Sequence, residues 1–242
     1  MPVITVVGAK GGCGASLVAT NLAVALAHYG TTLLVDLHDD GGVDDLLLDL
    51  RPDHSWVDLL SVAEELNLRH LEIALAVHAS GLRFSAGPAL PLPTRPDARA
   101  RTLVQALARE FEWTVLDQGC LPTQSPDPIL TLSHLILLVV TADPPALRSA
   151  QRFLGRLPAG VRDLARLVVN QFTRGHPAHP ASISVSLQCP LLAVLPTDPR
   201  AVGFQVNFGR ACLLDPQSGF GRGAEGLARA LAEKAGVGRR AA

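Results

Sequence analysis

The chain has 242 residues, of which 48% are hydrophobic and 18% are charged, and its formal net charge at pH 7 is −1. This balance excludes a disordered chain and argues against a strongly basic nucleic-acid binder, and the length suits one α/β domain with a large core. We therefore expect residues 1–242 to form a single domain. The four cysteines are widely spaced and form no paired-cysteine motif, which favours reduced thiols in the cytoplasm.

The first distinctive feature is a glycine-rich loop between a predicted strand, Val3–Val7, and a predicted helix, Ser16–Tyr29. The loop reads Ala9-Lys10-Gly11-Gly12-Cys13-Gly14-Ala15-Ser16. Glycines allow successive backbone N–H groups to point at phosphate oxygens, and the helix that follows presents the positive end of its dipole. The sequence therefore predicts a phosphate-binding loop. It departs from the usual motif at Ala15, where a lysine normally neutralises the β- and γ-phosphates.

Short apolar runs alternate with helical patterns along the rest of the chain. The predicted strands are Leu33–Val35, Trp113–Leu116, Leu135–Val140, Leu167–Val169 and Leu191–Leu195. The predicted helices are Asp97–Phe111, Pro145–Leu157 and Gly223–Ala235. Strands that are apolar throughout and alternate with helices predict an α/β fold, a doubly wound and mainly parallel sheet with helices on both faces.

Residues 51–99 are less regular and carry much of the proline, so we expect an insert-like region there. Within it, Ser55–Leu60 is typical of a capped helix start, with Asp58 as a capping partner of Ser55. The segment Gly81–Gly87 predicts a strand that ends in a turn. The proline-dense segment 88–96 predicts a loop.

Two aspartates follow predicted strands near the loop. Asp36 follows the strand Leu33–Val35, and Asp117 follows Trp113–Leu116. Because parallel sheets bind ligands at the carboxyl ends of their strands, Asp117 is a candidate magnesium ligand, together with the hydroxyl of Ser16. For Asp36 two interpretations stay open: it belongs to the magnesium site indirectly, behind the ligands that bind the ion, or it belongs to a solvated acidic turn with Asp39 and Asp40.

Together these residues resemble the MinD/ParA family of P-loop ATPases, whose loop reads K-G-G-x-G-K-[ST], over nearly the whole chain. The resemblance implies ATP and Mg²⁺ as cofactors, and a nucleotide-sandwich homodimer in which Lys10 reaches the phosphates of the partner. It implies nucleotide contacts from Lys10, Gly11, Gly12, Cys13, Gly14, Ala15, Ser16 and Leu17. It further implies that Asn170 contacts adenine and that Pro196 and Asp198 belong to the loop that closes over the base.

Within that family the chain looks most like the CpaE/TadZ branch of pilus-assembly proteins. Three features carry this likeness: Ala15 in place of the loop lysine, the segment His78–Pro88 and the segment Thr141–Arg148. The likeness implies an ATP-binding localisation or scaffold factor for a pilus or secretion assembly.

The chain also departs from the family pattern after the second strand. Relatives have V-D-x-D there, with the second aspartate positioning the attacking water, and this sequence has His38 at that place. With Ala15 and His38 replacing the lysine and the aspartate, we expect weak or no ATP hydrolysis. One lost charge-assisted contact costs on the order of 1.5–3 kcal/mol, so the backbone donors, Mg²⁺ and Lys10 are still expected to hold ATP. A lone histidine in a polar loop is typically exposed, and this is the expectation for His38.

Two other functions stay open: an active partition or septum-positioning ATPase of the ParA/MinD kind, and a nucleotide-free interaction module that keeps only the fold. The scattered arginines form no basic stripe, so no specific nucleic acid is expected.

The ends of the chain suggest neither a signal peptide nor an autonomous membrane anchor. Lys10 and the glycines interrupt the first apolar run, and the last helix has few bulky apolar residues beyond Leu227 and Leu231. Residues 236–242 are expected to be a frayed tail. We expect a cytoplasmic protein that pilus or secretion machinery proteins recruit to the membrane or cell pole.

Overall fold

The computed structural model describes residues 2–39, 41–92, 97–120 and 128–239. Within these ranges the strands are β1 (Val3–Gly8), β2 (Thr32–Asp36), β3 (Ala76–Val77), β4 (Arg83–Ser85), β5 (Trp113–Cys120), β6 (Leu135–Val140), β7 (Ala165–Phe172) and β8 (Leu191–Pro196). The α-helices are α1 (Ala15–Leu26), α2 (Asp44–Leu47), α3 (Leu68–Ala74), α4 (Asp97–Glu110), α5 (Pro144–Arg156), α6 (Ala159–Arg162), α7 (Pro180–Leu187), α8 (Pro199–Phe208) and α9 (Gly219–Lys234). The expectations for Asp40, for residues 93–96 of the proline-dense loop and for residues 240–242 of the tail lie outside the described residues.

The described strands form one sheet in the order β3-β4-β2-β5-β1-β6-β7-β8. Neighbouring strands are parallel except at one edge, where β3 runs antiparallel to β4. This arrangement confirms the predicted α/β fold with a mainly parallel sheet.

Successive residues of the central strands are buried on opposite faces of the sheet. In β2, Leu33 and Val35 pack in one hydrophobic cluster, with α4, while Leu34 packs in the other, with α1 and α9. Both faces are therefore covered, which explains why these strands are apolar throughout instead of alternating with polar residues.

The sheet order brings the carboxyl ends of β1, β2 and β5 together. Strand β1 lies between β5 and β6, and β5 lies between β1 and β2. Asp36 of β2 and Asp117 of β5 are partners in the strand register. After β1 the chain first forms the strands on one side of it, β2 to β5, and later those on the other side, β6 to β8. Open α/β sheets bind ligands at the carboxyl ends of their strands, in the crevice where the strand order reverses in this way.

Several boundaries differ from the predicted ones. Strands β5 and β7 continue past the apolar runs, so Asp117 and Asn170 lie inside strands instead of after them. Helix α9 begins four residues before the predicted Gly223, because the side chain of Ser218 caps it by accepting a hydrogen bond from the Gly221 amide.

The region 51–99 contributes more than an irregular insert, since β3 and β4 extend the sheet and Phe84 is fully buried. The predicted helix start after Ser55 is a 3₁₀ turn, Asp58–Val62, and Asp58 accepts a hydrogen bond from the Ser55 amide at 2.8 Å. Among the described residues, no helix is both long and apolar enough to cross a bilayer.

Candidate functional site

The glycine-rich loop between β1 and α1 adopts backbone conformations that favour glycine. Gly12 and Gly14 have φ angles of 79° and 82°, in the left-handed region. Gly14 precedes α1, and no side chain among the described residues caps the start of that helix. The amides of its first turn are therefore available to an anion, and the helix dipole favours one there.

Two side chains from β7 fix the shape of this loop. The amide Nδ2 of Asn170 donates to the carbonyl oxygen of Cys13 at 2.8 Å, and Nε2 of Gln171 donates to that of Gly12 at 2.8 Å. A Cβ atom on Gly14 would lie 2.5 Å from Nδ2 of Asn170, so the loop and β7 are in close contact. The carbonyl oxygen Oδ1 of Asn170 is buried without a partner. Contact between Asn170 and adenine stays a prediction.

A cavity of about 390 Å³ opens beside the loop, and its volume suits a small molecule. It is lined by loop residues Lys10, Gly12, Cys13, Gly14, Ala15, Ser16 and Leu17, by His38, Gly119 and Cys120, and by the apolar residues Val43, Leu46, Leu47 and Val206. The structure thus brings together the predicted loop residues except Gly11, which neighbours them in the chain. At the position where the usual motif has a lysine, Ala15 presents only a methyl group.

Lys10 lies at the rim of this cavity, close to an aspartate of its own chain. Its Nζ is 3.5 Å from Oδ2 of Asp143, and both side chains are 38% exposed. Asp143 also caps α5 by accepting from the Ala146 amide, and it accepts from the hydroxyl of Thr141. Burial alone would raise the pKa of Asp143, but the hydrogen bonds from Thr141 and Ala146 and the charge of Lys10 lower it. An exposed ion pair of this kind contributes at most about 1 kcal/mol, so Lys10 can exchange it for another anion.

Asp36 and Asp117 are both buried where β2 and β5 end. Oδ1 of Asp117 accepts from the Gly119 amide at 2.9 Å, and the Ser16 side chain lies near this carboxylate. Oδ2 of Asp117 has no partner. Burial raises the pKa of Asp117 although His38 and Ser16 lower it in part. Asp36 is 2% exposed, so the solvated acidic turn is wrong for this residue, because β2 carries it into the site.

A third carboxylate, Asp44 at the start of α2, was not predicted from the sequence. Its side chain is fully buried, and neither oxygen has a hydrogen-bond partner. Burial, followed by repulsion from Asp117 and Asp36, raises the pKa of Asp44 well above its ordinary value. A Cβ atom on Gly42 would lie 1.7 Å from Oδ2 of Asp36, so only glycine allows the chain to pass this close. The glycine pair Gly41-Gly42, just before Asp44, is the sequence feature from which this close approach of the chain could have been predicted.

The unpartnered oxygens of Asp44 and Asp117 fit a bound cation. Among the described residues, no three His, Cys, Asp or Glu side chains are arranged to hold a metal ion by themselves. Mg²⁺ usually binds one or two carboxylates and completes its shell with water and substrate phosphates. The donor set of Ser16, Asp117 and Asp44 therefore fits a Mg²⁺ ion that also contacts phosphate, with Asp36 close by.

His38 is not the exposed loop histidine that we expected. Its side chain is 22% exposed, and Nδ1 lies 2.6 Å from Oδ1 of Asp36. The ring packs on Gly119, where a Cβ atom would lie 2.1 Å from Nε2. The expectation of an exposed ring is wrong because Asp36 and the bare backbone of Gly119 together create a place for it.

Asp198 and Pro196 lie where β8 leads into α8. Oδ1 of Asp198 accepts from the Ala201 amide at 3.2 Å, and Oδ2 accepts from the Ser218 hydroxyl at 2.7 Å. Asp198 therefore caps α8 and ties it to the start of α9. Pro196 contacts the same region, since a Cβ atom on Gly219 would lie 3.0 Å from its Cγ. The contacts of Pro196 and Asp198 with a base stay predictions.

A protein-family model described as cellulose biosynthesis protein BcsQ matches residues 1–180. No curated protein matches the chain.

Solved structures share the fold of the whole chain. A ParA family ATPase from Chlorobium tepidum TLS is 21% identical, with a TM-score of 0.83 over 95% of this chain and 98% of that one. MinD in the MinC:MinD complex of Aquifex aeolicus is similar at 22% identity and TM-score 0.80, over 96% of both chains. The septum site-determining protein MinD of Pyrococcus horikoshii OT3, complexed with Mg-ADP, is similar at 20% identity and TM-score 0.80, over 97% of both chains.

Proposed function

The chain belongs to the family of the cellulose biosynthesis protein BcsQ and has the fold of the MinD/ParA ATPases, and we propose that it binds ATP to form a dimer. In this proposal the dimer is a localisation or scaffold factor for an assembly at the cell envelope, and it hydrolyses ATP weakly or not at all. The observation that carries the proposal is the phosphate-binding loop, whose backbone is complete while its lysine position holds Ala15.

Binding of the phosphate chain is supported by the backbone of the loop. Gly12, Gly14 and the first residues of α1 line the cavity, and glycine-rich turns at a helix N-terminus supply backbone N–H donors for phosphate. Asn170 and Gln171 hold the loop carbonyls, so the cradle is formed before any ligand arrives. Mg²⁺ bound beside Ser16 and Asp117 supplies positive charge to the phosphates.

Weak hydrolysis is supported by two positions of the site. Ala15 offers no cation to the charge that develops during phosphoryl transfer. His38 stands where relatives position water, and its Nδ1 lies against Oδ1 of Asp36. Loss of one such stabilising group typically slows catalysis by about 10²–10³, so two losses predict very slow turnover.

Dimer formation across the cavity is supported by the rim of the site. Val43, Leu46 and Val206 line the cavity and are 46%, 63% and 54% exposed. Exposed apolar side chains that cluster around a ligand cavity mark a contact surface. Lys10 lies at the same rim in a weak ion pair, so it is free to reach phosphates across an interface.

Two likenesses bear on the assembly that the dimer serves. The family description favours machinery for cellulose synthesis. The likeness to the CpaE/TadZ branch favours a pilus or secretion apparatus, and it rests on Ala15 and two sequence segments. Both point to an assembly at the cell envelope, with the protein in the cytoplasm and recruited by its partners.

Direct nucleotide binding and turnover test this proposal against its alternatives. We expect ATP to bind by calorimetry in the presence of Mg²⁺, and phosphate release to stay near background. No binding of ATP or ADP, and neither nucleotide in the denatured protein by mass spectrometry, indicates a nucleotide-free module instead. Sustained phosphate release together with salt-sensitive binding to nonspecific DNA indicates an active ParA-like ATPase.

A further inference from the structure

The charge of the cavity is unusual for a site that holds phosphates. Among the described residues that line it, Lys10 is the lysine or arginine present, and its ammonium group already lies near Asp143. The position inside the loop that normally carries a lysine holds Ala15. Meanwhile three carboxylates, Asp36, Asp44 and Asp117, are buried nearby. Among the described lining residues, a polyanion therefore meets Lys10 as the cationic lysine or arginine, while the three carboxylates lie buried near the cavity.

Asp44 is the most unusual of these carboxylates. It is fully buried, and both of its oxygens lack a hydrogen-bond partner. Native proteins rarely bury a carboxylate in this way unless it is paired, protonated or bound to a metal ion. The carboxyl group of Asp44 lies in contact with that of Asp117, whose Oδ2 also accepts no hydrogen bond from a donor, so the two acidic side chains meet with no donor between them.

The backbone around Asp44 is arranged to bring it there. The chain passes over Asp36 at Gly42, where a Cβ atom would lie 1.7 Å from Oδ2 of Asp36. Asp44 then begins α2, whose last two residues, Leu46 and Leu47, line the cavity. The carboxylate is therefore buried behind the part of the cavity wall that α2 supplies.

We propose that Asp44 and Asp117 together hold a divalent cation that takes the electrostatic role of the missing loop lysine, so that phosphate binding depends on this cation. The proposal rests on the nucleotide binding proposed above. It assigns Asp44 a role toward Mg²⁺ in addition to Ser16, Asp36 and Asp117. A competing explanation is a proton shared between Asp44 and Asp117, which neutralises the pair without a metal ion.

Cation binding without nucleotide separates these two explanations. Asp44→Asn is compared with Asp45→Asn, its neighbour on α2, which is partly exposed. We expect Asp44→Asn to weaken Mn²⁺ binding, measured by electron paramagnetic resonance, by about 10-fold or more, and Asp45→Asn to leave it nearly unchanged. The metal-free melting temperature is expected to rise in Asp44→Asn, because a buried charge is removed, and added Mn²⁺ is expected to raise it less than in the wild type. Unchanged Mn²⁺ affinity in a folded Asp44→Asn protein overturns the role of Asp44.

The second arm measures ATP affinity with Mg²⁺ and with EDTA, in the wild type and in Ala15→Lys. We expect EDTA to weaken ATP binding to the wild type by about 100-fold, and to Ala15→Lys by about 10-fold or less, since the lysine restores the charge. Equal ATP affinity of the wild type with and without the cation overturns the inference. If ATP does not bind even with Mg²⁺, the proposed function fails instead, and the Mn²⁺ measurement alone decides the role of Asp44.

Discussion

Gly12 and Gly14 show how much the phosphate-binding loop depends on individual residues. Both have positive φ angles, but a Cβ atom on Gly12 would have open space around it, whereas one on Gly14 would lie 2.5 Å from Asn170. Both positions therefore need a residue that tolerates a positive φ angle, but Gly14 in addition has no room for a side chain. At Gly14 the loop packs tightly against Asn170 of β7.

This difference predicts unequal effects of alanine. Gly12→Ala is expected to lower the free energy of unfolding by about 1 kcal/mol, from backbone strain alone. Gly14→Ala is expected to lower it by about 2–4 kcal/mol, because Asn170 must also move. Urea denaturation of the two variants measures both values. Equal losses would show that the contact between Gly14 and Asn170 does not constrain the loop.

Lys10 allows a test of the dimer with a matched control, because Lys234 is the other lysine of the chain. Lys10→Ala is expected to change stability by less than about 1 kcal/mol, since its ion pair with Asp143 is exposed. It is expected to weaken ATP-dependent dimerisation by about 10-fold or more, through the lost contact with the partner's phosphates. Lys234→Ala should leave sedimentation profiles unchanged. A Lys10→Ala protein that dimerises like the wild type removes this lysine from the interface.

Single residues were predictable where a motif fixed their place. The loop glycines, Ser16 and Asp117 follow from their spacing relative to apolar runs; in the structure Gly12, Gly14 and Ser16 line one cavity, and Asp117 is buried beside Ser16. Asp44 and the contact of His38 with Asp36 were missed because both depend on the path of the chain after β2. That path is set by packing against Asp36 and Gly119, which no periodicity in the sequence records.

Asp198 connects two elements, because one carboxylate serves the starts of both α8 and α9. It accepts hydrogen bonds from the Ala201 amide, the Ser218 hydroxyl and the Phe220 amide. Burial alone would raise the pKa of Asp198, but these hydrogen bonds lower it below the ordinary 3.8. The carboxylate therefore stabilises the fold above pH 3.8, and this contribution is lost as the pH falls through the lower pKa of the folded state.

Asp198→Ala is expected to lower the free energy of unfolding by about 1–2 kcal/mol at neutral pH, the usual range for a lost helix cap. The difference from the wild type should shrink when unfolding is measured at about pH 3, where the unfolded wild type is mostly protonated. Asp163→Ala serves as control, since Asp163 is exposed and caps no helix with its side chain. A pH-independent difference would mean that packing, not the charge of Asp198, holds the two helices.

At the level of elements, hydrophobic patterning located the central strands and long helices but not their ends. β5 and β7 run on through polar residues such as Gln118 and Asn170, because pairing with a neighbouring strand does not require an apolar side chain. The start of α9 was misplaced because its cap, Ser218, is itself held by Asp198 from another part of the chain. The edge strands β3 and β4 were obscured by their short length.

For the whole molecule, the alternation of buried strands and helices was enough to predict the sheet and its parallel character. The order of the strands then explains why the loop after β1 and the carboxylates of β2 and β5 share one crevice. The side chains in that crevice depart from the family pattern, whereas the architecture around them does not. A glycine-rich loop with positive φ angles at Gly12 and Gly14 is combined with Ala15, with His38 held at Asp36, and with an additional buried carboxylate at Asp44.

The central claim is that ATP holds two copies of this chain together without being consumed. Light scattering coupled to size-exclusion chromatography, with Mg²⁺ and either ATP, ADP or no nucleotide, tests it most directly when phosphate release is followed in the same samples. We predict that ATP shifts the molar mass from one chain to two, that ADP does not, and that the dimer persists while phosphate release stays near background. A monomer in saturating ATP, or a dimer that releases phosphate steadily, would contradict the account.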